Sequence, residues 1–147
     1  MKENISICWD TEACRLRYAW DGSKTRLRGF RSPAEIPDPF YKENAARLWS
    51  FDSGGAPQFL GYRLVDEYPE FHYKIGEIEI WERVSNGHQP GSIERSFTLD
   101  GVDGSVFHDL SHSGNVSIRS NERSLDGAIL NLNADQARSF TLTLSKE

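Results

Sequence analysis

Gln58-Phe-Leu-Gly-Tyr-Arg-Leu-Val65, Glu70-Phe-His-Tyr-Lys-Ile75 and Ile78-Glu-Ile-Trp-Glu-Arg-Val84 are three consecutive runs in which apolar and polar residues alternate. Leu60, Tyr62 and Leu64 share one face of the first run, Phe71, Tyr73 and Ile75 one face of the second, and Ile78 and Ile80 continue the pattern. A period of two belongs to a half-buried strand, because successive side chains leave opposite sides of a pleated ribbon. A helix would scatter the same residues round its circumference.

The connections predict an antiparallel meander over Gln58–Val84. Asp66-Glu-Tyr-Pro69 contains a proline that cannot donate to a ladder and an Asp able to bond its own backbone, so it reads as a four-residue hairpin loop. That loop pairs Leu64 with Phe71, Tyr62 with Tyr73 and Leu60 with Ile75. Gly76-Glu77 is the Gly-first dipeptide of a type II′ hairpin. Ile75 then meets Ile78, Tyr73 meets Ile80, Phe71 faces Glu82, and Lys74 meets Glu79 on the other side. A one-residue slip would send the aromatic face into water, so pattern and turns favour one register. Leu60, Tyr62, Phe71, Tyr73 and Ile80 are expected in the core.

Working outward, Ile5–Trp9 and Cys14–Trp20 alternate around the polar Asp10–Ala13, an opening hairpin. One apolar face throughout requires Trp9 opposite Cys14, Ile7 opposite Leu16 and Ile5 opposite Tyr18, with Cys8 turned away opposite Arg15. Two free thiols follow from that register, while a bulge would shift the pairing enough for a Cys8–Cys14 bridge. Thr25–Phe30 reads as a third strand, and 32–46, with three prolines in its first eight residues, as a long crossing loop with one helical turn at Tyr41–Leu48. After the loop Ser85–Gly91 come short strands at Ile93–Leu99, Ser105–Leu110, Asn115–Ser120, Gly127–Asn131 and Ser139–Ser145, punctuated by Gly, Asn and Asp. The fold class is therefore all-β, an antiparallel β-sandwich of about ten or eleven strands, in one domain over 1–147. The chain is also open to being an excised part of a larger protein.

The chain has 147 residues, enough to bury roughly 68–70% of its unfolded surface without disulfide support. Net charge is −5 and no Lys/Arg run exceeds two residues, which argues against nucleic acid as a partner. Arg15, Arg17, Lys24, Arg26 and Arg28 fall on alternating strand positions, as a solvated sheet face would. No apolar run approaches the roughly 18 residues of a membrane span, and no signal segment opens the chain, so membrane insertion is not expected.

Cys8-Trp-Asp10 with Cys14-Arg-Leu-Arg-Tyr-Ala-Trp20, Phe59-Leu-Gly-Tyr-Arg-Leu64 and Pro69-Glu-Phe-His-Tyr-Lys-Ile75, in that order, resemble a β-rich domain of large planctomycete and verrucomicrobial multidomain proteins. In those proteins the domain accompanies c-type cytochrome and glucose/sorbosone-dehydrogenase-like domains. The resemblance spans about residues 5–84 and implies an accessory domain of an exported protein, periplasmic or extracellular, near haem-linked or sugar-oxidising machinery. The chain itself has no Cys-x-x-Cys-His motif, so a haem would belong to a neighbouring domain.

Candidate chemistry is sparse, and neither cofactor nor metal is expected. His108 and His112 have i, i+4 spacing, but on a strand-then-turn pattern that separates them. Asp100-Gly-Val-Asp-Gly104 lacks the further acids of a calcium loop and reads as a hairpin turn. Asn115-Val-Ser117 matches a glycosylation sequon, which the bacterial source implied by the resemblance would leave without consequence. Glu82 falls on the face of Ile78, Ile80 and Val84, and a carboxylate at the rim of an apolar face is a candidate acid or base. The opposite face carries Phe59, Arg63, His72, Lys74, Glu79, Trp81 and Arg83, with His72 opposite both Arg63 and Trp81. An exposed Trp bordered by Arg, His and Glu has the composition of a sugar-stacking platform or an interface hot spot. Phe59, Arg63, His72 and Trp81 are accordingly the expected ligand-binding residues of a non-catalytic accessory module that binds carbohydrate or docks a neighbouring protein domain. A sugar-active enzyme, mutarotase-like or hydrolytic, using Glu82 and a histidine is the alternative, and a structural spacer a further one.

Overall fold

A computed structural model of the protein describes residues 5–12, 14–21, 41–42, 57–89, 91–104, 106–109, 116–120, 123–124 and 129–146. The third strand expected at Thr25–Phe30, most of the crossing loop, His112 and the sequon residue Asn115 lie outside them. Among the described residues the protein is all-β, with antiparallel sheets and one helical turn.

The meander is present as β4 (Gln58–Val65), β5 (Tyr68–Ile75) and β6 (Ile78–Asn86). Between β5 and β6 the expected register holds, with Ile75 opposite Ile78, Tyr73 opposite Ile80 and Phe71 opposite Glu82. Gly76 sits at φ 61° and its partner Glu77 is not left-handed, as a type II′ turn requires.

Between β4 and β5 the expected register is corrected by two residues. Tyr62, rather than Leu64, lies opposite Phe71, and Leu64 lies opposite Pro69. Val65 and Tyr68 pair directly, so the loop is only Asp66-Glu67, with both residues at positive φ (52° and 71°). That is the backbone of a type I′ turn, built here without glycine. A bulge between Phe59 and Gly61, with Gly61 at φ 139°, then places Phe59 opposite Tyr73. Leu60 and Tyr62, expected in the core, are 42% and 67% exposed, and Leu64 is 67% exposed, because β4 is the terminal strand of its sheet.

β7 (Ser92–Asp100) continues the meander, and the last strand, β12 (Ser139–Lys146), pairs with β7 on one side and β9 (Val116–Ser120) on the other. With β10 (Arg123–Ser124) the sheet order is β10-β9-β12-β7-β6-β5-β4. A separate ribbon joins β8 (Val106–Asp109) to β11 (Ile129–Leu132). The turn α1 (Ala134–Ala137) precedes β12 and is closed by a capping box, Asn133 Oδ1 accepting from Gln136 N and Gln136 Oε1 from Asn133 N.

β1 (Ile5–Asp10) and β2 (Arg15–Asp21) form the opening hairpin, and β3 (Tyr41–Lys42) pairs with β2 where a helical turn was expected. Trp9 lies opposite Leu16, two residues from the expected register, and a bulge between Cys8 and Trp9 adds one residue more, so that Ile7 lies opposite Ala19. Arg15, expected on a solvated face, is only 7% exposed and lies opposite Asp10. Cys14 is a free, buried thiol at φ 52° in the connecting turn.

The core lies on the inner face of the large sheet. Tyr73, Ile80, Val84, Ile93, Phe97, Leu142 and Leu144 are essentially inaccessible, and Leu16, Ala19, Val106 and Leu130 join the same cluster from the other strands. Trp9 stacks on Phe71 with ring centroids 3.9 Å apart and planes 2° from parallel, tying the opening hairpin to β5.

At the far end of β7, Gly101 has φ 96°, and a Cβ there would stand 2.7 Å from the Glu77 carbonyl oxygen. Backbone strain and clash with a fixed main-chain atom therefore act together. Gly101→Ala is expected to lower stability by more than about 1 kcal/mol, read as the shift of the urea midpoint at unchanged m-value.

Candidate functional site

Alternation along β5, β6 and β7 divides the candidate residues between two environments. Inward-facing Glu82 is 1% exposed. The expectation that it marks the rim of the apolar face is corrected: it lies inside the core. Its Oε2 accepts from Arg95 Nε at 2.9 Å and its Oε1 from the Tyr73 hydroxyl at 3.0 Å. Arg95 is equally buried, with its guanidinium 5.0 Å from the centroid of the Phe97 ring. Glu82 lies directly opposite Phe97 and Arg95 opposite Val84, so the two charges are diagonal neighbours on one face, a separation that long side chains span. Arg95 had a readable signal, since it alternates with Ile93, Phe97 and Leu99.

Burial acts strongly on two ionisable groups of this interior. The Tyr73 hydroxyl is pushed well above its ordinary value, first by desolvation and then by the neighbouring Glu82 carboxylate. Burial also raises the Cys14 thiol from 9.0 to about 11, with Asp10 adding to the effect.

The outward-facing residues form the site. His72 and Trp81 are directly opposite each other, their rings stacked with centroids 4.6 Å apart and planes 8° from parallel. His72 Nε2 lies 3.0 Å from Glu79 Oε2, which fixes the imidazole from its far edge. Beside them Arg63 makes two contacts to Glu70 Oε1, from Nε at 2.9 Å and Nη2 at 2.8 Å. Arg63 is 73% exposed, so this pair contributes no more than about 1 kcal/mol.

Of the four expected binding residues, Arg63, His72 and Trp81 meet on this face and Phe59 does not. The Gly61 bulge puts Phe59 opposite Tyr73, half-buried against the core. The two-residue turn at Asp66-Glu67 places Gly61, instead of Arg63, opposite His72. A glycine beside the imidazole leaves a hollow of about 360 Å³, lined by Leu60, Gly61, Tyr62, Arg63, Glu70, His72 and Trp81. A second hollow, of about 730 Å³, touches Trp81 from the β7 side and is formed with Thr98, Leu99, Asp100, Gly101, Val102, Asp103 and Arg138. In sequence, Asp100–Gly104 has only the pattern of a hairpin turn, and nothing in it marks this role. Among the described residues no three His, Cys, Asp or Glu side chains are grouped to hold a metal ion, and no helix is long and apolar enough to cross a membrane.

Comparison with protein-family models, with curated protein sequences and with solved structures finds no match to the chain.

Two consequences of the buried cluster are measurable. Glu82→Ala leaves Arg95 charged and unpaired in the core and should cost about 3–5 kcal/mol in urea unfolding, whereas Tyr73→Phe keeps the ion pair and should cost about 1–3 kcal/mol. The raised Tyr73 and Cys14 groups hold their protons more tightly folded than unfolded. Their contribution to stability is thus complete below about pH 9 and declines as pH rises towards 11, so the urea midpoint should fall over that window.

Proposed function

We propose that this chain is a non-catalytic binding module that takes a carbohydrate on the outer face of its meander, with Trp81 as the stacking platform and His72 and Arg63 beside it. The observation that carries this reading is the His72–Trp81 stack, held by Glu79 on a sheet face with a hollow on either side. A pyranose presents an apolar C–H face to an indole while its hydroxyls reach polar groups at the rim. A ring already fixed in orientation loses little freedom on binding. The burial of Glu82 behind this face supports binding rather than acid–base catalysis as the task of the site.

A second reading, docking of a neighbouring protein domain, is favoured by the exposed Leu60, Tyr62 and Leu64 on the terminal strand β4. The stacking of Trp9 on Phe71, and the core shared by strands of all three sheets, support describing the fold as an antiparallel β-sandwich. The resemblance of residues 5–84 to a domain found beside cytochrome and sugar-dehydrogenase-like domains supports placing the module in an exported multidomain protein.

Tryptophan fluorescence titrated with a panel of mono- and polysaccharides tests the carbohydrate reading. A saturable response is expected that weakens about tenfold or more in Trp81→Ala, the loss of about 1.4 kcal/mol of stacking. Absence of any response across the panel removes the reading.

A further inference from the structure

Trp81 has two ring faces, and His72 covers one of them. His72 approaches from β5, while the partner strand on the other side is β7, where Thr98 stands opposite Trp81. The larger hollow touches Trp81 and Thr98 but not His72. It therefore lies against the side of the indole that the imidazole leaves uncovered. We propose that a neutral saccharide seats in this hollow, its ring against the uncovered face of Trp81 and its hydroxyls on Asp100, Asp103 and Arg138. This rests on the carbohydrate reading above and adds to it the ring face and the polar partners.

Three structural restraints hold the hollow in shape. Arg138 follows the capped turn α1, and its carbonyl accepts from Leu99 N at 3.1 Å, which ties its backbone to β7. The next residue, Ser139, pairs with Thr98, so Trp81, Thr98 and Ser139 form one row across three strands. On the other side, Gly101 at φ 96° brings the Asp100–Asp103 segment against the Glu77 carbonyl closely enough to exclude a Cβ. Asp100, Asp103 and Arg138 are thus carried on anchored backbone, and their side chains have no ion-pair partner among the described residues.

The chemistry of the walls selects the ligand class. Carboxylates and a guanidinium are planar groups that make paired hydrogen bonds, the match for adjacent hydroxyls on a sugar ring. Two acids and one base leave a formal charge of −1, which disfavours phosphorylated or otherwise anionic ligands. A volume of about 730 Å³ falls within the ~300–1,000 Å³ of small-molecule sites, enough for more than one sugar ring.

The test measures binding of glucose, galactose, mannose and xylose, and of β-1,4-linked glucose and xylose hexasaccharides, to the whole chain. Calorimetry gives affinities, and the indole N–H resonance of Trp81, assigned through Trp81→Phe, reports contact. Asp103→Asn and Arg138→Ala lie on exposed positions, and circular dichroism checks that each variant keeps the fold. Each should weaken binding at least tenfold, and by more than Arg63→Ala, whose side chain lines the smaller hollow. Binding lost in Arg63→Ala but kept in Asp103→Asn and Arg138→Ala overturns the proposed seat while leaving Trp81 a carbohydrate platform. Binding that none of the three variants alters likewise overturns the seat. Absence of binding to every sugar overturns both.

Discussion

The ion pair between Glu82 and Arg95 is the constraint on which the arrangement of the large sheet depends. Each side chain is 1% exposed, and an unpaired charge at that depth would cost several kcal/mol of lost hydration. The two are tolerated only together, with Tyr73 satisfying the second carboxylate oxygen. Their diagonal placement exists in one register of β6 against β7. Sliding either strand by one residue would carry one charge to the outer face and leave the other stranded among Ile80, Val84 and Phe97. A hydrophobic pair would serve burial equally well, but would not penalise the slipped arrangement so heavily.

Much of this architecture is readable in the residues themselves, and the failures have identifiable causes. The β5–β6 register follows from Gly76, because glycine at the first turn position selects one hairpin geometry. The β4–β5 register departs from the one that alternation suggests because Asp66 and Glu67 adopt left-handed conformations that residues with a Cβ seldom enter, which makes Pro69 the second residue of a strand instead of part of the loop. Pro69 is tolerated near the strand's start, as positional rules for proline allow. The displacement of Phe59 to the core side then follows from the bulge at Gly61, which alternation alone cannot reveal. Glu82 was conspicuous as the charged residue on an apolar face, but its meaning depended on Arg95, thirteen residues away on another strand. Long-range pairing of that kind leaves only a weak trace, the matching oddity of an arginine among Ile93, Phe97 and Leu99.

The site was partly visible for a related reason. His72 and Trp81 share the correctly inferred hairpin, so their juxtaposition came with its register. Asp100, Asp103 and Arg138 reach Trp81 through the pairing of β7 with the last strand of the chain, a contact between segments about forty residues apart with a capped turn between. Local patterns identify Arg138 only as an arginine after a short polar stretch.

The inner and outer faces are mechanically one object. Trp81 lies between Ile80 and Glu82, His72 between Phe71 and Tyr73, and Thr98 between Phe97 and Leu99, and all six flanking residues are buried. Each outward side chain is therefore carried on a backbone position clamped by a neighbour on either side. A binding platform on a loop would have to order its backbone when ligand arrives, whereas here that ordering occurred on folding. The charge pair that fixes the β6–β7 register is thus also what holds Trp81 opposite Thr98. Moving that register by one residue would separate the indole from the Asp100–Asp103 segment while leaving the β5–β6 hairpin, and so the His72 stack, unchanged.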